Sequence, residues 1–300
     1  MIIVGSRGSK LALAQTQYVI DKLKSVKPDE DFKIKIIKTK GDLNQTIPLD
    51  LMNSKGLFVN EIEEALLSGD IQLAVHSMKD MPDTIPDGLV FADAWQRENP
   101  LDALILKKGS SLNDLPLGAT IATGSKRRSF QLLKIRPDLN IVLIRGNIDT
   151  RLKKLYGTEM NENELDGIIL AVAGLKRLGL DDSVSYIFTP HEMIPAPCQG
   201  RLAIELREDN HDLLDLINSF SDKESRDITF LERCFLKEIG GDCHLPIGAY
   251  AQKETNGYSL TSLFGSEDGK KLVKTTVHGS TASKEMVDRA VSDIKKQLEE

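Results

Sequence analysis

Three hundred residues exceed what one hydrophobic core usually serves, so two or three domains are expected. A hydrophobic fraction of 40% and a charged fraction of 28% are ordinary for a globular chain, and no apolar run approaches membrane-spanning length, which excludes an integral membrane protein. The net charge of −6 hides an asymmetry: between Lys126 and Lys154 nine basic residues face two acids, Asp138 and Asp149, so that segment carries +7 and the rest −13. A field of that kind attracts anions. Single-stranded nucleic acid is the weakest choice of partner, because base stacking wants aromatics among the cations and the segment offers only Phe130.

The N-terminus reads Met-Ile-Ile-Val-Gly-Ser-Arg, without the basic start or small-residue cleavage site of an export signal. Cys198, Cys234 and Cys243 are an odd count, without CxxC pairs or the dense spacing of a disulfide framework. No metal site is expected, and a cytoplasmic location is.

In chain order, strand-like runs occur at Ile2 to Val4, Ile34 to Ile37, Leu73 to Val75, Leu89 to Phe91, Leu104 to Leu106, Thr120 to Thr123, Ile141 to Ile144 and Ile168 to Val172. Helical faces lie between several of them, as at Ala12, Val19, Ile20, Leu23 and at Phe58, Ile62, Ala65, Leu66. Such alternation predicts α/β layers with mostly parallel strands. The last eighty residues change character. Helical faces at Ile228, Leu231, Phe235, Ile239 and at Val287, Val291, Ile294, Leu298 flank strand-like stretches at Tyr258 to Phe264 and Lys271 to Val277, which predicts a smaller α+β domain. Turn-rich breaks fall at Arg97 to Pro100, Thr189 to Pro197 and Ser219 to Asp222; the Pro-rich one doubles as a possible hinge returning the chain to the first domain.

Polar clusters sit just past the carboxyl ends of several strands, where open α/β sheets hold ligands. They are Gly5-Ser6-Arg7-Gly8-Ser9, His76-Ser77-Met78-Lys79-Asp80, Gly124-Ser125-Lys126-Arg127-Arg128 and Arg145-Gly146-Asn147. In the first and third, glycine and serine precede a helix, so backbone N–H groups and the helix dipole face an anion. Arginine there adds a two-pronged donor for carboxylate or phosphate. Neither GxGxxG nor GxxxxGK is present, which argues against NAD and ATP. Four clusters together imply a ligand with several negative groups. Asp80 is either a turn aspartate or a carboxylate that balances a developing cation. His76 reads as a packed histidine before it reads as a base. Cys234 reads as buried filler, Cys198 as an accessible hinge thiol, and Cys243, in a glycine-rich turn, as a candidate nucleophile.

These residues resemble a known family, hydroxymethylbilane synthase, also called porphobilinogen deaminase. The matching stretches are Ser6 to Leu13, Lys55 to Val59, Ala74 to Pro82, Arg145-Gly146-Asn147 with Arg151, Ile169 to Leu175, and Cys243-His244-Leu245-Pro246-Ile247-Gly248. The resemblance implies two periplasmic-binding-protein-like (type II) α/β domains plus a smaller α+β C-terminal domain. Domain 1 would comprise 1–96 and 196–216, domain 2 residues 97–195 with the basic cleft wall, and domain 3 residues 217–300 with the cofactor. The implied cofactor is dipyrromethane, attached through a thioether to Cys243. The implied reaction is deaminating condensation of four porphobilinogen molecules onto it, followed by hydrolytic release of the linear tetrapyrrole. Asp80 would be catalytic; Lys79, Asp80, Ser125, Arg127, Arg128 and Arg151 would bind the cofactor; Arg7, Ser9, Gln15, Arg145, Arg151 and Arg177 would face the substrate or the growing chain. Lys55 would belong to a loop over the site and Gln199 to the hinge. A monomer is expected, without nucleic-acid or membrane partners. Three residues depart from the family pattern: in the hinge Cys198 stands where a glycine is usual and Arg201 where an alanine is, and Asp242 stands where glycine precedes the cofactor cysteine. If the hinge glycine needs positive φ, Cys198 brings backbone strain. Asp242 is expected to raise the Cys243 thiol pKa and slow attachment unless His244 or a lysine compensates.

Overall fold

The computed structural model describes residues 1–39, 59–82, 84–157, 164–240 and 245–299. Lys55, Phe58, Asp242, Cys243 and His244 lie outside the described residues. In chain order the elements are β1 (Ile2–Ser6), α1 (Lys10–Lys24), β2 (Phe32–Ile36), α2 (Asn60–Leu67), β3 (Leu73–Ser77), β4 (Leu89–Phe91), β5 (Asp102–Leu106) and β6 (Thr120–Ala122). There follow α3 (Lys126–Ile135), β7 (Asn140–Val142), α4 (Ile148–Leu155), β8 (Gly167–Ala171), α5 (Val172–Arg177), β9 (Tyr186–Ile187), β10 (Leu202–Arg207) and α6 (His211–Asn218). The chain ends with α7 (Lys223–Ile239), β11 (Gly248–Glu254), β12 (Gly257–Gly265), β13 (Leu272–Gly279) and α8 (Lys284–Glu299).

The chain divides into one unit of Met1–Glu98 with Arg201–Arg226 and a second of Asn99–Gly200 with Asp227–Glu300. The first unit holds a five-stranded sheet in the order β2-β1-β3-β10-β4. Alternate side chains of β3 and β10, Leu73, Val75, Leu202, Ile204 and Leu206, bury one face against Val19, Ile20 and Leu23 of α1 and Leu213 and Ile217 of α6. Ala74 on the opposite face packs with Ile62 and Leu66 of α2. The second unit repeats this order as β7-β6-β8-β5-β9. Leu104, Ile121 and Ile169 pack on Leu132 of α3, while Ile105, Ile168 and Leu170 pack on the other side with Leu155 of α4 and Leu175 of α5. The repeated order agrees with the expectation of two α/β domains built on one plan.

The strands are mostly parallel, as expected, with one exception in each five-stranded sheet: β1, β2, β3 and β4 share a direction and β10 runs antiparallel to its neighbours β3 and β4, while β6, β7, β8 and β9 share a direction and β5 runs antiparallel to its neighbours β8 and β9. In the first sheet the antiparallel strand, β10, returns from a distant part of the chain, whereas in the second it is β5, the first strand of the unit. The smaller α+β region of the second unit is a three-stranded antiparallel sheet, β11-β12-β13. Ala249, Ala251, Leu260 and Val277 bury one side of it under Ile228, Leu231 and Phe235 of α7 and Val287 and Ile294 of α8.

Candidate active site

In the first unit the strand ends after β1 and β3 carry the first two polar clusters. Ser9 caps α1, its Oγ accepting from Ala12 N–H at 3.2 Å, which holds the helix start beside Arg7. Arg7 and Ser9 are half-buried. Gln15, one and a half turns further along α1, is buried and donates from Nε2 to Ser77 Oγ at 2.9 Å, so it braces the end of β3. From that braced end the chain makes a single 3-10 turn, Met78–Asp80, whose first N–H donates to Arg201 O at 3.1 Å. The turn leaves Asp80 exposed and Lys79 half-buried. Asp80 is therefore a carboxylate on a short turn whose start is tied down on both sides, to α1 and to Arg201. His76 is packed, with Nε2 3.1 Å from Glu205 Oε2.

In the second unit the clusters after β6 and β7 supply the cations. Ser125 caps α3 through its Oγ, which accepts from Arg128 N–H at 3.4 Å. Arg127 and Arg128 are only 4% and 7% exposed, and both turn onto Asp102, the fully buried first residue of β5. Arg127 Nη1 donates to Asp102 Oδ2 at 2.7 Å and to Ile194 O at 2.7 Å. Arg128 Nε donates to Asp102 Oδ1 at 2.9 Å, its Nη2 lies 2.7 Å from the same oxygen, and its Nη1 donates to Ile169 O at 3.0 Å. Burial alone would raise the Asp102 carboxyl, but the two guanidiniums hold it well below the usual carboxylate range. Burial also lowers the pKa of Arg127, and Asp102 opposes that.

Arg145 is half-buried in the turn leading to α4. Arg151, on α4, donates from Nε to Gly146 O at 2.8 Å. Gly146 has φ +110°, and a side chain there would meet Thr150 Cγ2 at 2.6 Å, so glycine is needed to let the backbone curl under Arg151. Arg177, at the end of α5, donates from Nη2 to Gly200 O at 2.6 Å. Gln199 is buried and donates from Nε2 to Pro100 O at 2.7 Å and to Asp102 Oδ1 at 3.0 Å.

Cys198 is not accessible, as its hinge position suggested, but 1% exposed, and its φ is +59°. The left-handed conformation that the hinge glycine would serve is thus adopted by a cysteine. The turn is held because Cys198 N–H donates to Glu232 Oε2 at 2.7 Å, while the other oxygen of this buried carboxylate accepts from Ala251 N–H at 2.8 Å. Cys234 is half-buried, and burial raises its thiol pKa. Asp102 and Glu232 escaped the sequence reading. The signal for Asp102 was an acid opening the apolar strand run Leu104 to Leu106; Glu232 had none, being one charge among many on an amphipathic helix.

A model of the family described as porphobilinogen deaminase, dipyromethane cofactor binding domain, matches residues 2–215, and the porphobilinogen deaminase C-terminal domain matches residues 228–296. The chain belongs to the porphobilinogen deaminase family. It is 49% identical to the porphobilinogen deaminase of Clostridioides difficile (strain 630) over 94% of this chain and 92% of that protein. Identity with the Clostridium novyi (strain NT) protein is 50%, over 98% of this chain and 97% of that one. With that of Bacillus pumilus (strain SAFR-032) it is 46%, over 98% and 96%. Among solved structures, a periplasmic substrate-binding protein from Coxiella burnetii aligns at 15% identity and a TM-score of 0.45, over 78% of this chain and 97% of that one.

The residues present fit the cofactor of this family. Among the described residues the buried pair Arg127 and Arg128 has one carboxylate, Asp102, as ion-pair partner. Two guanidiniums against one carboxylate leave an excess positive charge at a buried site, which favours an arriving anion. Dipyrromethane carries several carboxylates.

Proposed function

We infer that this chain is a transferase, a hydroxymethylbilane synthase that condenses four porphobilinogen molecules with loss of ammonia and releases the linear tetrapyrrole by hydrolysis. The observation that carries this reading is the ordered match of both porphobilinogen deaminase domain models along the chain. When bound, dipyrromethane supplies the pyrrole nucleophile from which the product is built. Cys243 would hold it as a thioether.

Asp80 would act on the substrate. Departure of ammonia from porphobilinogen leaves positive charge on the pyrrole, and an exposed carboxylate on a braced turn can accept from the pyrrole N–H and stabilise that charge as it develops. Each substrate brings an acetate and a propionate, and Arg7, Ser9, Arg145, Arg151 and Arg177 are the donors we assign to them. Gln15 supports this set by holding Ser77. Lys79, Ser125, Arg127, Arg128 and Arg151 would meet cofactor carboxylates, and Ser125 would do so from the start of α3, where its hydroxyl already orders the helix terminus. Lys55 would contribute to water exclusion. We further propose that residues 217–300 act as a cofactor-carrying domain distinct from domain 1 (1–96, 196–216) and domain 2 (97–195), and that the enzyme works as a cytoplasmic monomer without a nucleic-acid partner. No helix among the described residues is long and apolar enough to cross a membrane.

The test is the intact mass of the purified protein beside Cys243→Ser and Cys198→Ser variants, with an aldehyde colour reaction for free pyrrole. A mass excess of two condensed porphobilinogen units, lost only in the Cys243 variant, is expected. A wild-type chain that stays unmodified after incubation with porphobilinogen would overturn the reading.

A further inference from the structure

The reach of Asp102 goes beyond neutralising its neighbours. Its main chain is fixed in β5, opposite Ala171 of β8, and its carbonyl accepts from Phe188 N–H at 3.0 Å. From this rigid point both carboxylate oxygens are engaged: Oδ2 by Arg127, Oδ1 by Arg128 and by Gln199. The same side chain therefore touches the first turn of α3 and the segment 196–200, in which Cys198 and Gly200 both have positive φ. Gln131, one turn along α3, supports the same geometry, donating from Nε2 to Ile194 O at 3.1 Å and accepting from Ile194 N–H at 2.8 Å. An arginine carries five N–H donors, and Arg127 spends only Nη1 on acceptors among the described residues.

We propose that Asp102 is the positioning residue of the Arg127–Arg128 pair, setting the orientation in which the two guanidiniums receive carboxylates and tying that orientation to the 196–200 segment through Gln199. This rests on the reading that the pair meets dipyrromethane carboxylates. Charge and geometry then predict opposite results for one substitution. Asp102→Asn keeps the shape of the side chain and adds net positive charge, so charge alone predicts tighter capture of a polycarboxylate. Loss of a bidentate anchor for two long side chains predicts weaker capture, because each guanidinium must then be ordered at the moment of binding.

The experiment uses full-length apoprotein, incubated with porphobilinogen over a range of concentrations, with the loaded fraction read by intact mass and folding read by far-UV circular dichroism. For Asp102→Asn we expect the half-saturating porphobilinogen concentration for loading to rise at least tenfold while the loaded fraction at saturation is retained. A merely structural role would lower the loaded fraction and leave the concentration dependence of the surviving molecules unchanged. Loading at wild-type or lower concentration overturns the proposal. If Asp102→Asn does not fold, Asp102→Glu serves instead, since it keeps the charge and moves the carboxylate by one methylene; it too must raise the half-saturating concentration, and wild-type loading overturns the proposal. An Arg128→Gln control separates the two ideas: if it loads normally, the assignment of the arginines to the cofactor fails, whereas normal loading by the Asp102 variants with defective loading by Arg128→Gln defeats the positioning role alone.

Discussion

Cys198 offers a direct measurement of backbone strain at the hinge. The comparison needed is Cys198→Gly against Cys198→Ala, since both remove the buried sulfur and differ only in the Cβ. At an ordinary position alanine is more stable than glycine by about 0.5–1 kcal/mol, because glycine loses more conformational freedom on folding. At φ +59° the Cβ approaches the following carbonyl oxygen, a conformation that costs a residue with a side chain about 1–2 kcal/mol. The alanine methyl recovers part of this, roughly 0.8 kcal/mol, by being buried. The terms nearly cancel, so the advantage of about 1.3–1.8 kcal/mol that a buried alanine would hold at an ordinary position should vanish, leaving the two variants within about 0.8 kcal/mol of each other. Urea unfolding followed by far-UV circular dichroism is the assay. Tryptophan fluorescence would report elsewhere, because the sole tryptophan, Trp95, lies in the first unit and Cys198 in the second. The wild type should lie close to the glycine variant, since the strain that glycine removes is offset by the lost packing of a side chain that is 1% exposed. An alanine variant more stable than the glycine variant by more than about 1 kcal/mol, at equal m-values, would refute the claim that the turn is strained.

Burial, and then the charge of Glu205, push the Glu63 carboxyl up to about 7 from its ordinary value of 4.5. The folded state thus holds this proton more tightly than the unfolded one, so its contribution is complete below pH 4.5 and is lost as pH rises through about 7. Glu63→Gln should flatten that dependence and raise stability at pH 8 by up to about 3 kcal/mol, read from urea midpoints between pH 5 and 8; parallel curves for variant and wild type would contradict it. Gly146→Ala should cost about 1–3 kcal/mol and raise KM for porphobilinogen, because φ +110° and the Thr150 side chain both resist a Cβ next to Arg145 and Arg151. For Asp80→Asn we expect kcat to fall about 100-fold with the cofactor mass retained, and a kcat within threefold of wild type would remove Asp80 from the catalytic role.

The local grammar of the chain was readable. Ser9 and Ser125 stand where N-caps were expected, and Ala12, Val19, Ile20 and Leu23 all face the core. The antiparallel strand β10 was not read, for two reasons. Strand direction depends on which distant segment a run pairs with, and periodicity carries no information on that. In addition Glu205 interrupts the run Leu202 to Leu206 with a charge that pattern reading assigns to the surface, yet it is fully buried between β3 and β4. Cys198 was read as accessible because proline and glycine around it signal a loop, and only the contact with Glu232 shows that the loop is internal.

Buried charge accounts for what escaped at the site as well, and it falls into two kinds with different consequences. Asp102 and Glu232 are saturated, the first by two guanidiniums and Gln199, the second by backbone N–H groups of Cys198 and Ala251. Removing either leaves donors buried without acceptors, a cost larger than the net worth of the bonds themselves. Glu63 and Glu205 are the opposite case: one oxygen of each has no hydrogen-bond partner among the described residues, and His76 supplies a contact to Glu205 alone. Burial, helped by the nearby charge of Glu205, is why Glu63 holds its proton. Asp102, held charged by its two guanidiniums, fixes geometry at all ordinary pH values, as the orientation of an arginine pair requires. An unsaturated acid yields a pH-dependent stability in the sheet whose strand β3 ends at the turn carrying Asp80, so the Glu63→Gln variant, if it also leaves kcat unchanged at pH 8, would show that this cost of stability is separable from the chemistry at that turn.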